Sequence, residues 1–63
     1  MKRYFVKDRY GCYVFQNDYV RTEEYGICKV VDFPTSRSVL VVDEEGEKIK
    51  IPGRKVEFYS SSE

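Results

Sequence analysis

Histidine, tryptophan and alanine are absent from this chain of 63 residues, leucine occurs once and cysteine twice. Each shortage excludes something. Without imidazole there is no ready base to activate a serine or cysteine nucleophile, and the serines fall in a loop (Ser36, Ser38) or in the run Ser60-Ser61-Ser62, where nothing positions them. A zinc site draws three or four ligands from Cys, His and carboxylates, and two isolated cysteines outside any CxxC pair do not supply one. An enzyme would have to work through Cys12 or Cys28 without an imidazole partner. The adjacent acids Glu23-Glu24 and Glu44-Glu45 read as surface charge, since neighbours on a strand point to opposite faces. The expectation is therefore a non-enzyme with no cofactor, no metal and no small-molecule substrate.

Charge of either sign is also missing in sum. Eleven basic side chains face eleven acidic ones, which removes the uniform basic footprint of a protein held to phosphates. The longest apolar run is Val39-Leu40-Val41-Val42, far below the roughly 18 residues of a membrane span. Met1-Lys2-Arg3 begins like a signal peptide, but Lys7, Asp8 and Arg9 interrupt the apolar stretch that should follow. A soluble, cytoplasmic protein is expected, with no membrane partner. Two cysteines are too few for a secreted disulfide scaffold of this size, so Cys12 and Cys28 are read as reduced, largely buried thiols, although a single bridge between them is possible by count.

What is present is β-forming. Nine valines, three isoleucines, six tyrosines and four phenylalanines favour pleated sheet over helix. A chain this short is one domain at most, placed at residues 1–59 with a flexible polar tail at 60–63. Residues 2–7 and 12–15 read as the strands of an N-terminal hairpin around the turn Asp8-Arg9-Tyr10-Gly11. Strands follow at 19–22, 27–33, 38–42, 47–51 and 55–59. The strand at 27–33 is apolar on both parities and calls for a bulge or for sharing between two sheets; 38–42 reads as the best-buried strand. Asp43-Glu44-Glu45-Gly46 predicts a type I turn ending in a left-handed residue. Pro52-Gly53-Arg54 stops the strand before it. Val30, Leu40, Val42, Ile49, Ile51 and Phe58 are expected to share one core, to which Phe5, Phe15 and Phe33 are candidates to add.

The run Asp18-Tyr19-Val20-Arg21, then Tyr25-Gly26-Ile27-Cys28-Lys29-Val30-Val31-Asp32-Phe33, Val39 to Gly46, Ile49-Lys50-Ile51-Pro52 and Val56-Glu57 resembles small SH3-like barrels, in particular KOW and Tudor-like modules. Those open with an Asp-x-Val strand, turn at a glycine, continue through a valine-rich strand and a hairpin ending in Gly, and close after a proline-containing turn. The resemblance covers about residues 18–57. It implies an all-β, small antiparallel SH3-like barrel, to which the N-terminal hairpin is added.

Ten aromatic rings are more than so small a core accommodates. Some of Tyr4, Tyr10, Tyr13, Tyr19, Tyr25 and Tyr59 are therefore expected at least partly at the surface, where tyrosine brings contact area with a polar tip. Charge is also polarised: Lys2, Arg3, Lys7 and Arg9 surround only Asp8, while Asp43, Glu44, Glu45 and Glu47 have no base among them. The reading is a protein-binding adaptor, accessory subunit or inhibitor whose surface includes Arg3, Tyr4, Arg9, Tyr10, Tyr13, Tyr19, Tyr25 and Tyr59. The alternative is a nucleic-acid-binding module that stacks bases on the basic hairpin formed by Arg3, Tyr4, Arg9, Tyr10 and Tyr13. Charges that guard a sheet edge against aggregation are the plainer account of those basic residues.

Overall fold

Seven short strands follow one another in the computed structural model, which describes residues 5–61: β1 (Phe5–Lys7), β2 (Tyr13–Phe15), β3 (Tyr19–Thr22), β4 (Gly26–Thr35), β5 (Ser38–Val42), β6 (Lys48–Pro52) and β7 (Glu57–Ser60). A 3-10 turn, Gly53–Lys55, separates β6 from β7. All pairing is antiparallel, in a two-stranded sheet β1-β2 and a five-stranded sheet ordered β6-β5-β4-β3-β7. The fold is thus all-β, as expected. The strands do not pair into a closed barrel, because β6 and β7 remain edges and the hairpin keeps its own sheet. Among the described residues no helix is long and apolar enough to cross a membrane.

The first and fifth turns are one device used twice. At Asp8 the backbone N–H donates to Cys12 O (2.8 Å), Gly11 N donates to Asp8 O, and the carboxylate Oδ1 accepts from Tyr10 N and Cys12 N. At Asp43 the same four bonds run to Glu47, Gly46, Glu45 and Glu47. Both turns need a left-handed residue in fourth place, and Gly11 (φ 81°) and Gly46 (φ 85°) occupy it without a Cβ penalty. The predicted bulged turn at residues 43–46 is present, and its counterpart at Asp8 closes the β1-β2 hairpin.

Valine builds the core. Val6, Val14, Val20, Cys28, Val30, Val39, Val41, Ile51 and Val56 are buried together, with Phe33 and Ile49 packed against them. Each such aliphatic side chain contributes about 1.5–3 kcal/mol when fully removed from water. Five of the expected core residues are placed differently. In β5 the inward parity is Val39 and Val41, while Leu40 and Val42 lie half-buried opposite Lys50 and Lys48. Phe58 sits on the edge strand β7 and keeps 37% of its surface. Phe5 and Phe15 face outward as well, because they share a face with Lys7 and Tyr13.

Boundaries shift too. β4 extends through Pro34 to Thr35, with register shifts on either side of Asp32; these are the bulges expected of a strand apolar on both faces. β6 runs to Pro52, the 3-10 turn takes up Lys55, and Ser60, assigned to the tail by the sequence, pairs with Tyr19 at the end of β7.

Polar side chains at the connections fix the turns, and Asp8 also ties the hairpin to the larger sheet. Asp18 Oδ2 accepts from Phe15 N, Thr22 Oγ1 accepts from Tyr25 N, and the Ser38 and Thr35 hydroxyls meet at 2.7 Å. Asp8 does most of the joining: its Oδ2 accepts from Phe58 N at 2.8 Å, beside an Arg9 N to Val56 O bond of 3.0 Å. Among the described residues no buried side-chain polar atom lacks a partner, as a folded interior demands.

Candidate interaction face

The hairpin is only three residues wide on each strand, so alternation decides what it shows. Val6 and Val14, directly opposite each other, go into the core. Their neighbours Phe5, Lys7, Tyr13 and Phe15 must then share the outer face. There the rings of Phe5 and Tyr13 meet edge to face, with centroids 4.9 Å apart and planes at 78°. Phe15 completes the group at 5.9 Å from Phe5 and 6.5 Å from Tyr13, tilted by 54° and 53°. Lys7 Nζ stands 5.6 Å from the Tyr13 centroid, within the range of a cation–π contact. Phe5, Tyr13 and Phe15 nevertheless keep 36%, 54% and 48% of their surfaces in solvent.

The other residues singled out by the sequence are dispersed. Arg3 and Tyr4 lie outside the described residues. Arg9 and Tyr10 occupy the hairpin turn, where the Arg9 guanidinium is 5.6 Å from the Tyr10 ring and 3.9 Å from Glu23 Oε1. Tyr19 is half-buried on the outer face of the large sheet, in a shallow groove with Ile27, Val31 and Val42. Tyr25 is exposed in the β3–β4 turn, and Tyr59 is exposed on β7. Two residues before Tyr59, Glu57 accepts two bonds from Arg21 (2.8 and 3.3 Å), which raise the Arg21 pKa further. Of the predicted surface only Tyr13 belongs to the aromatic face; Phe5, Lys7 and Phe15 were missed.

The two cysteines are free, but only Cys28 is buried; Cys12 is exposed in the hairpin turn, against the expectation of two buried thiols. Burial pushes the Cys28 thiol up, Asp43 adds to the shift, and a hydrogen bond with Thr22 opposes it. Because the thiolate is the reacting species, a thiol-specific reagent is expected to modify Cys12 at once and Cys28 only at the rate of unfolding. Two equally fast reactions under native conditions, followed by mass spectrometry, would contradict this burial. Among the described residues no group of three His, Cys, Asp or Glu side chains is placed to hold a metal ion.

No protein-family model, no curated protein and no solved structure matches the chain.

Proposed function

We propose that this chain is a non-catalytic binding module that recognises another protein through the outer face of the β1-β2 hairpin. One observation carries the reading: three aromatic rings lie packed together and exposed on a sheet whose opposite face already serves the core through Val6 and Val14. Exposed apolar surface of this kind is a usual mark of an interaction site, and aromatic side chains supply much of the energy of protein interfaces. The strand order, with a 3-10 turn before β7 and β7 beside β3, supports an SH3-like topology of the KOW or Tudor variety. That topology serves many activities, so the surface has to decide among them. Two free cysteines suit a reducing compartment such as the cytoplasm.

The nucleic-acid alternative draws less support. Ring planes tilted by 53° to 78° do not form parallel platforms for successive stacked bases. Arg9, on which that alternative relies, is engaged with Glu23. The test is capture of a partner from cell extract by immobilised chain, with and without nuclease. A nuclease-resistant partner is expected to be lost with Tyr13→Ala plus Phe15→Ala, while stability falls by about 1 kcal/mol or less per substitution. Capture that ends with nuclease, or survives the double substitution, refutes the proposal.

A further inference from the structure

The aromatic face continues into a cleft. Between β1, the β4–β5 turn and the 3-10 turn lies a space of about 450 Å3 whose walls include Phe5, Lys7, Arg37, Pro52 and Arg54. Phe5 and Lys7 belong to both surfaces. Three cations therefore border one opening that has an apolar floor of ring and proline.

Asp8 is the carboxylate lining this cleft, and it is occupied: Oδ1 accepts two backbone N–H groups and Oδ2 a third, within a residue only 6% exposed. Among the described residues the ion pairs are Arg9 with Glu23 and Arg21 with Glu57; Lys7, Arg37 and Arg54 take part in none. The acidic turn at residues 43–47 lies at the far end of the β5-β6 pair, since Ser38 is opposite Pro52 at the near end and Val42 opposite Lys48 at the far one. Four strand steps of about 3.4 Å separate those ends by roughly 14 Å, beyond the Debye length of about 8 Å at physiological salt. Arg54 also lines a neighbouring groove with Glu23 and Glu24, though it forms an ion pair with neither, so the positive charge of the cleft is left in part for a ligand.

We infer that the partner presents an acidic peptide segment, with carboxylates meeting Lys7, Arg37 and Arg54 and an apolar or aromatic residue seated on Phe5 and Pro52. The inference rests on the protein-binding reading and adds its chemistry. Charge complementarity selects the occupant: a neutral apolar segment would leave three cations unanswered, and a nucleic acid would meet tilted rings on a chain of zero net charge.

The probe is a capped peptide, Glu-Phe-Glu-Glu-Leu-Glu, titrated into isotopically labelled full-length chain, with its Gln-for-Glu counterpart and oligothymidylate in parallel. The acidic peptide is expected to shift the amide signals of Lys7, Arg37 and Arg54, and to bind about tenfold more weakly when Arg37→Glu and Arg54→Glu are combined, at unchanged Tm. Raising salt from about 50 to about 500 mM is expected to weaken binding several-fold. Absence of these shifts overturns the inference. Equal binding of both peptides to the hairpin overturns it while leaving the protein-binding reading intact, whereas tighter binding of oligothymidylate to the same face overturns both. Concentration-dependent shifts in the same cleft without any peptide would make the acidic turn of a second copy the occupant, and would overturn a separate partner segment.

Discussion

Gly53→Ala is expected to lower the unfolding free energy by about 1–3 kcal/mol, the range for forcing extra atoms into a packed interior. Gly53 is buried at the start of the 3-10 turn, and a Cβ there would stand 2.6 Å from Lys7 O, 2.7 Å from Val6 Cγ1 and 3.3 Å from Arg37 O. The first contact is with backbone that belongs to the β1-β2 ladder, so it cannot turn aside as a flexible side chain would. Nor can the glycine retreat, because its own N–H is bonded to Arg37 O at 2.7 Å. A domain below about 70–80 residues rarely has more than 3–5 kcal/mol from a single core, so this one methyl group removes a large share. Thermal unfolding should show Tm lower by about 4–8 °C for each kcal/mol lost. A wild-type Tm for this variant would mean that β1 does not pack on the 3-10 turn as described.

Asp8→Asn and Asp43→Asn are one substitution made in the same turn motif, and opposite outcomes are expected. At Asp43 both backbone donors, Glu45 N and Glu47 N, go to Oδ1, an oxygen that asparagine retains while its new amide group faces water. Stability should change by about 0.5 kcal/mol or less. At Asp8 the two oxygens are both engaged, Oδ1 within the turn and Oδ2 with Phe58 N. Asparagine can satisfy only one side and turns an N–H donor toward another donor on the other. Losing a hydrogen bond to a charged acceptor in a buried place costs about 1.5–3 kcal/mol. Denaturant titrations of the two variants provide the comparison, and equal midpoints would show that the Phe58 bond does not hold the hairpin.

Much of this architecture is readable from residue types. Valine-rich runs punctuated by Asp-x-x-Gly turns locate the strands, and the turn at residues 43–46 is found where its composition places it. The same turn also contains information that simple parity misses. Once Asp43 and Glu47 close the hairpin, Val42 must face Lys48 and Leu40 must face Lys50, and a side chain directly opposite an outward lysine is itself outward. Applied to the first hairpin, the argument puts Phe5 and Phe15 beside Lys7 and Tyr13, outside the core. Hydrophobicity alone assigns phenylalanine to the interior; register overrules it here. The cleft is less legible, because Lys7, Arg37 and Arg54 come from a strand and two separate turns, and only the docking of β1 against the 3-10 turn brings them to one opening. Asp8 looks like an ordinary turn residue, and its second oxygen finds its use far along the chain.

That distance has a consequence for how the protein is made. Asp8 and Phe58 are 50 residues apart, so although the first hairpin can close locally as soon as Phe15 has been added, its anchor does not yet exist. Contacts of such sequence separation form slowly, and synthesis proceeds at about 5–20 residues per second. A two-stranded hairpin alone is marginally stable at best in water, so for several seconds of synthesis β1 and β2 lack the partner that fixes them, and their lasting order waits for β7.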